Sequence, residues 1–171
     1  MIQIAVDLSD AKRGLAQLLR NATETRPMMR GLAVEMESMT SENFETESWG
    51  GDNWIDLKYP REGSYKKLYR SGELSDSITS KATNNTAQIG SNMIYAAIHH
   101  LGGKTSAHKI TVKNKKALAF GGLVRKSVNH PGSAIDARPY LPLNGDGELQ
   151  KGGEERLLNI VLDALKKDVQ S

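Results

Sequence analysis

The sequence of 171 residues contains no cysteine. Disulfide bonds, thiolate nucleophiles and cysteine-ligated zinc are therefore excluded, and the chain suits a reducing compartment such as a cytoplasm. No stretch approaches the roughly 18 consecutive apolar residues that a membrane helix requires, and the first residues lack the basic flank of a signal peptide. Aromatic residues make up only 5% of the chain and the mean hydropathy is −0.49. We expect a soluble protein without a membrane segment, folded as a single domain over residues 1–171.

Acidic residues are absent from one long segment, Lys104 to His130. That segment holds seven basic residues, which are Lys104, Lys109, Lys113, Lys115, Lys116, Arg125 and Lys126. The rest of the chain carries 16 basic and 20 acidic residues, a net charge of −4. Such asymmetry indicates an electrostatic contact with nucleic acid or with the acidic face of a neighbouring subunit. The alternative is a solvated loop whose lysines keep it soluble.

Apolar residues at helical spacing predict three long helices. The first begins at a cap formed by Ser9 or Asp10, the second has Pro27 in its first turn, and the last begins near Gly153. Their apolar stripes are Ala11, Leu15, Leu18, Leu19 and Ala22; Met29, Leu32, Ala33, Met36, Met39 or Thr40, and Phe44; and Leu157, Leu158, Val161, Leu162, Leu165 and Val169. For the methionine-rich second stripe, core packing is a more frequent role than a surface for partners.

Alternating and turn-bounded segments predict strands between the helices. Ile2–Leu8 alternates as a half-buried strand, and Leu74–Ser80 with Thr86–Gly90 forms a hairpin through Asn84–Asn85. The segment from Glu47 to Ser64 is predicted to be a loop held in place by Trp49, Trp54 and Leu57. Ile94–Leu101 is a short buried helix that Gly102 and Gly103 end.

The basic segment is predicted to be a β-hairpin excursion over residues 104–130. Lys109–Lys113 alternates, Asn114–Lys115 forms a turn, and Ala117–Phe120 pairs back. Gly121 and Gly122 then bend the chain, and Leu123–Val128 continues the excursion. The fold class is therefore α+β, a small antiparallel sheet with this excursion, packed against N-terminal and C-terminal helices.

Residue patterns for catalysis, cofactors and metals are weak. Gly102-Gly103-Lys104-Thr105 ends like a phosphate-binding loop, but Ile98 occupies the position where that loop needs its first glycine. His99 and His100 are adjacent and cannot bind one metal together. Ser71 lacks the preceding glycine of a nucleophile elbow. We predict no enzyme activity, no cofactor and no metal site.

Nucleic-acid binding remains an alternative, in a non-specific and salt-sensitive form. The only aromatic residue of the basic segment is Phe120, so no platform for base stacking is visible.

Five short blocks follow one another in an order that resembles the phage virion morphogenesis family. The blocks supply Trp54 and Leu57; Leu68, Ser71, Gly72, Leu74 and Ser77; Gly90 and Ser91; Tyr95, Ala96, Ile98, His99, Gly102 and Gly103; and Ala137, Arg138, Pro139, Tyr140 and Leu141. The resemblance covers roughly residues 44–143. Ile55-Asp56 replaces the usual proline-rich form after Trp54. The basic hairpin and Asn129–Gly132 also resemble the related tail-component family of siphophages.

The resemblance implies a structural protein of virion assembly, at the head–tail neck or the tail terminus. It implies copies of the same chain as partners, in a ring that is often hexameric, together with tail-tube or neck proteins. The virion would be its final location, after assembly in the cytoplasm of the bacterial host. We predict that the seven basic residues and Arg138 lie at subunit or DNA contacts, with an ion pair inside the subunit as the alternative for Arg138.

Overall fold

The computed structural model describes residues 9–58, 66–112, 116–120 and 122–169. The described helices are α1 (Ser9–Thr23), α2 (Arg26–Thr46), α3 (Glu73–Asp76), α4 (Ala96–Leu101) and α5 (Gly153–Lys166). The strands are β1 (Ser48–Trp49), β2 (Asp52–Asn53), β3 (Ile78–Ala82), β4 (Ala87–Ser91), β5 (Gly103–Lys104), β6 (His108–Thr111), β7 (Leu118–Phe120), β8 (Leu123–Arg125), β9 (Ser127–His130) and β10 (Ala134–Ile135).

The predicted α+β class with terminal helices is confirmed. The described strands form five separate two-stranded antiparallel pairs, however, and not one small sheet. The predicted strand Ile2–Leu8 lies outside the described residues, as do Lys113 and Lys115.

The long helix α2 carries the core, as its apolar stripe predicts. The buried positions recur every three or four residues and are Ala33, Met36, Met39, Thr40, Asn43 and Phe44. α5 runs antiparallel to α2, because Gly31 faces Ile160 while Met39 faces Gly153. A side chain at position 31 would come within 2.8 Å of the Ile160 Cγ2 atom, so glycine permits this close approach. Arg156 joins the two helices through ion pairs with Glu35 and Glu42.

The stripes of the two terminal helices are not buried as a whole. No residue of α1 is buried, and Leu15 and Leu19 are both 66% exposed. On α5, Leu158 is 52% and Leu162 38% exposed, while Leu157, Val161 and Leu165 are half-buried. Val169 lies beyond the end of the helix at Lys166. Periodicity correctly predicts these helices, but it does not identify the face that packs inside the subunit.

The hairpin of β3 and β4 is confirmed, with a shorter first strand than predicted. Ile78 pairs with Ser91 and Ala82 with Ala87 across a turn at Thr83–Thr86. Leu74 lies in α3, not in the strand, because Gly72 (φ 84°) turns the chain sharply before this helical turn. The segment after α2 also contains a short pair, β1 with β2, where a loop was predicted.

The pairing inside the basic excursion differs from the prediction. β6 pairs with β9, not with β7, and β7 pairs with β8 across a turn at Gly122 (φ 76°). The predicted pairing of Lys109–Lys113 with Ala117–Phe120 was therefore wrong, whereas the chain does reverse at the predicted glycine bend. The predicted turn at Asn114–Lys115 lies outside the described residues. The pairs β5–β10 and β6–β9 share one register. Each step forward from Gly103 towards Thr111 is matched by one step back from Ile135 towards Ser127. The excursion is therefore one long antiparallel ribbon with a smaller hairpin at its far end.

Candidate interaction site

Two tryptophans hold the chain segment 139–141 from one side. The Trp49 Nε1 donates a hydrogen bond to the carbonyl oxygen of Leu141 (2.9 Å), and the Trp54 Nε1 donates to that of Pro139 (2.7 Å). Trp54 is 4% exposed and packs edge-on against Phe44, with ring centroids 5.9 Å apart. The prediction that the tryptophans hold this segment in place is thus correct. They do so by binding the segment 139–141, which lies about 85 positions further along the chain.

His100 holds the same segment from the other side. Its Nδ1 accepts a hydrogen bond from the backbone N–H of Tyr140 (3.1 Å), and its Nε2 lies 2.8 Å from the carbonyl oxygen of Leu143. A backbone N–H can only donate and a carbonyl can only accept, so the ring is neutral with its proton on Nε2. Burial lowers the pKa of His100, against an opposing effect of the Leu143 carbonyl. Its role is structural, not metal-binding.

Sequence reasoning missed the buried amide that completes this arrangement, Asn43. Its Nδ2 donates to the carbonyl oxygen of Tyr140 (3.1 Å) and to Oε1 of Gln150 (2.7 Å), and its Oδ1 accepts from the N–H of Gly50. The signal was available, since Asn43 is a polar residue on the apolar stripe of α2. We call Asn43, Trp49, Trp54 and His100, with the segment 139–141 between them, the tryptophan clamp.

Tyr140 is the centre of the tryptophan clamp. It is 1% exposed and lies between Phe44 and His100, with ring centroids 5.2 and 4.9 Å away. Its hydroxyl donates to the carbonyl oxygen of Ala96 at 3.1 Å, and burial raises the pKa of the phenol to about 12. The aromatic position of the Arg-Pro block is therefore a core residue.

Arg138 points into the subunit. It is 6% exposed, and its Nε and Nη2 donate to the carbonyl oxygens of Ile55 (3.0 Å) and Asp56 (3.1 Å). The partners are neutral carbonyls, so the ion pair considered for it does not form with the described residues. Its role at a subunit contact stays a prediction.

A cavity of about 630 Å³ collects eight of the twenty motif residues. They are Leu57, Leu68, Ser71, Gly72, Leu74, Tyr95, His99 and Arg138. Of the others, Trp54 and Pro139 belong to the tryptophan clamp. Gly102 (φ 72°) and Gly103 follow α4, where a Cβ on Gly102 would lie 2.8 Å from the backbone nitrogen of Ala137. The motif thus describes one continuous region of the fold.

The cavity brings Ser71, His99 and Asp136 together, but not as a catalytic triad. In a triad the histidine Nδ1–H is bound to the carboxylate. Here the His99 Nδ1 is buried and has no hydrogen-bond partner among the described residues. Burial, and next the charge of Arg138, lowers the pKa of His99. His99 is half-buried and His100 is buried, and the described part of the chain contains no cluster of three metal-ligating side chains.

The described basic residues of the excursion are all exposed. They are Lys104, Lys109, Lys116, Arg125 and Lys126. None of them forms an ion pair with another described residue. Leu123 and Val124, at the far hairpin, are 51% and 70% exposed. The excursion therefore presents positive charge and apolar side chains that nothing in the described subunit neutralises or covers.

The geometry is that of an α+β subunit whose motif residues build an internal clamp and whose basic excursion is left uncovered. The chain belongs to the phage virion morphogenesis family, whose model matches residues 6–166. This confirms the resemblance and assigns a structural role in phage virion assembly.

Two relatives agree with this assignment. Over 105 residues the chain is 40% identical to the "Mu-like prophage FluMu G protein 2" of Haemophilus influenzae, covering 61% of this chain and 72% of that protein. It is 27% identical over 183 aligned positions to the "Putative capsid assembly protein G" of Escherichia phage Mu, covering 99% and 95% of the two chains. No solved structure matches the chain. Among the helices that the structure describes, none is long and apolar enough to cross a membrane.

Proposed function

We propose that the protein is a ring-forming, non-enzymatic tail-completion protein that acts at the head–tail neck or at the tail terminus. Its partners are further copies of the chain and the adjoining neck or tail-tube proteins. It joins the virion after folding in the cytoplasm of the host bacterium. The family assignment supports the assembly role, and the features below support the finer parts of the proposal.

The observation that carries the proposal is the uncovered basic excursion beside a body of opposite net charge. The body carries a net charge of −4, while the excursion contains no acidic residue. A basic excursion on a subunit whose remaining residues are net acidic favours a heterologous contact, in which each copy binds the next. Such a contact closes into a ring when the rotation between neighbours allows it.

Deleting the gene from the phage, with a plasmid copy for complementation, tests the position of the protein in assembly. We expect filled heads and tails that fail to join, or tails of abnormal length, in electron micrographs of lysates. The name of the phage Mu relative suggests a different phenotype, a failure of head assembly itself. Missing or aberrant heads with normal free tails would contradict the proposal and favour that role.

Binding of DNA by the same excursion is the second candidate function, favoured by its exposed and unpaired cations. Lys109→Glu with Lys126→Glu should abolish retention of duplex DNA, and retention by the unmodified protein should fall steeply with salt. The matched control is Lys81→Glu with Lys151→Glu, which makes the same charge change at exposed positions elsewhere. Equal retention by both double variants would eliminate the excursion as the DNA-binding surface.

A further inference from the structure

An apolar stripe on α1 stays largely exposed in the described subunit. Ala11, Leu15, Leu18 and Ala22 are spaced by four, three and four residues, so they share one face, with Leu19 beside them. Leu15 and Leu19 are each 66% exposed and Leu18 is 37% exposed. We call Leu15, Leu18 and Leu19 the α1 stripe.

α1 is attached to the subunit by a different face. The half-buried residues of α1 are Gly14, Gln17 and Asn21, and its other residues are exposed. Asn21 donates from its Nδ2 to the carbonyl oxygens of Leu165 (2.8 Å) and Lys167 (2.7 Å). Asn21 therefore attaches α1 to α5 through polar contacts, while Leu15 and Leu19 stay 66% exposed.

α5 carries a second uncovered stripe, Leu158 and Leu162, which are 52% and 38% exposed. We call this pair the α5 stripe. The face that α5 buries against α2 is formed by other residues, among them Gly153 and Ile160. Two leucines one helical turn apart on an exposed helix face are a typical contribution to a helix–helix interface.

The charged residues beside the two stripes have opposite signs at the same spacing. On α1, Lys12 precedes Leu15 and Leu19 by three and seven residues. On α5, Glu155 precedes Leu158 and Leu162 by three and seven residues. Lys12 and Glu155 are both exposed, so two such helices lying side by side in parallel would bring a lysine against a glutamate.

We infer that α1 of one copy packs against α5 of a second copy, with the α1 stripe on the α5 stripe and Lys12 near Glu155. The inference rests on the proposed function, because it specifies how neighbouring subunits of the ring would bind. The contact joins two different surfaces, which is the heterologous arrangement that a ring requires. It places the neighbour's helix on leucines that water would otherwise surround.

Single-cysteine cross-linking tests the pairing directly, because the natural chain has no cysteine. Tagged Lys12→Cys protein is mixed with untagged Glu155→Cys protein at high concentration and mildly oxidised. We expect a disulfide-linked heterodimer in clear excess over either homodimer. Val34→Cys, at a 63% exposed apolar position on α2, is the matched control when mixed with Glu155→Cys. Equal yields of all combinations would overturn the inference.

Two sets of variants sharpen the result. Leu15→Lys with Leu19→Lys should weaken association at least about tenfold in sedimentation experiments, whereas Val34→Lys should not. Lys12→Glu should weaken it about two- to fivefold, and adding Glu155→Lys in the same chain should restore it. Association unaffected by the leucine pair would show that another occupant covers α1.

The outcome is separable from that of the proposed function. Loss of cross-linking specificity with normal incorporation of the protein at the neck or tail end would reject the helix pairing alone. Specific cross-linking with a head-assembly defect in the deletion phage would reject the proposed position alone.

Discussion

The tryptophan clamp and the outer surface, by which we mean α1 and the basic excursion, differ in whether their side chains find partners within the subunit. In the clamp, Tyr140 is 1% exposed, and Trp54 and His100 each direct ring nitrogens to backbone partners. On the outer surface, Leu15 and Leu19 of α1 are exposed, and the described cations of the excursion are exposed and form no ion pair with another described residue. The clamp is complete within one subunit, whereas the outer surface presents groups that the described residues leave uncovered.

This difference changes the meaning of the family motif. Most motif positions either line the cavity or belong to the clamp, so the motif largely describes the region around Tyr140 and the cavity. The exposed leucines of α1 and the exposed cations of the excursion lie almost entirely outside the motif blocks, before Trp54 and between Gly103 and Ala137. Substitutions should therefore divide into those that unfold the subunit and those that leave it folded but alter its association.

The largest loss of stability should come from Trp54→Ala. The substitution leaves a large cavity next to Phe44 and removes the donor to Pro139, so the free energy of unfolding should fall by about 3–5 kcal/mol. Trp54→Phe keeps most of the volume and leaves only the Pro139 carbonyl unsatisfied, which should cost about 1–3 kcal/mol. Urea denaturation measures both; an equal loss in the two variants would show that packing contributes little.

Gly102→Ala should cost less, about 1–3 kcal/mol, because it strains the backbone at φ 72° without emptying the core. The added Cβ would also approach the Ala137 nitrogen to 2.8 Å, so the Arg-Pro segment must shift. Gly147→Ala is the control, since it also has a positive φ but no atom within 4 Å of its Cβ. Similar losses in both variants would mean that φ alone, not the contact with Ala137, determines the cost.

A smaller effect should appear as a pH dependence of stability. Burial lowers the pKa of both His99 and His100 below the ordinary 6.5, so the unfolded chain takes up protons first as the pH falls. Stability is therefore complete above about pH 6.5 and declines below it. Glu42, held below its ordinary 4.5 by Arg156, loses its contribution only at more acidic pH.

Denaturation midpoints between pH 7.5 and 5 measure this decline. His100→Gln should lower stability at pH 7.5 and flatten the pH profile, because one of the two histidines no longer titrates. A profile as steep in His100→Gln as in the unmodified protein would assign the whole effect to other groups.

Local pattern predicted the helices, the β3–β4 hairpin and the end of α4 at Gly102, because spacing and turn residues act over a few positions. It did not predict the pairing of β6 with β9, which joins segments on the two sides of the far hairpin. Nor did it predict the role of Asn43, although its place on the apolar stripe of α2 was a signal, because its partners Tyr140 and Gln150 lie far along the chain. The clamp joins residues more than 80 positions apart, from Trp54 to Pro139 and from Asn43 to Gln150.

The smallest expected change in the free energy of unfolding is at the α1 stripe. Comparing it with a substitution in the core tests whether α1 is packed inside the subunit. Leu19→Ala should alter the free energy of unfolding by no more than about 0.5 kcal/mol, because a side chain that is 66% exposed loses little on truncation. Met39→Ala, at a fully buried position of α2, should cost about 2–5 kcal/mol. Thermal and urea unfolding at low protein concentration measure the subunit itself. If Leu19→Ala destabilised it as much as Met39→Ala does, α1 would be packed inside the single subunit, and the contrast between the clamp and the outer surface would disappear.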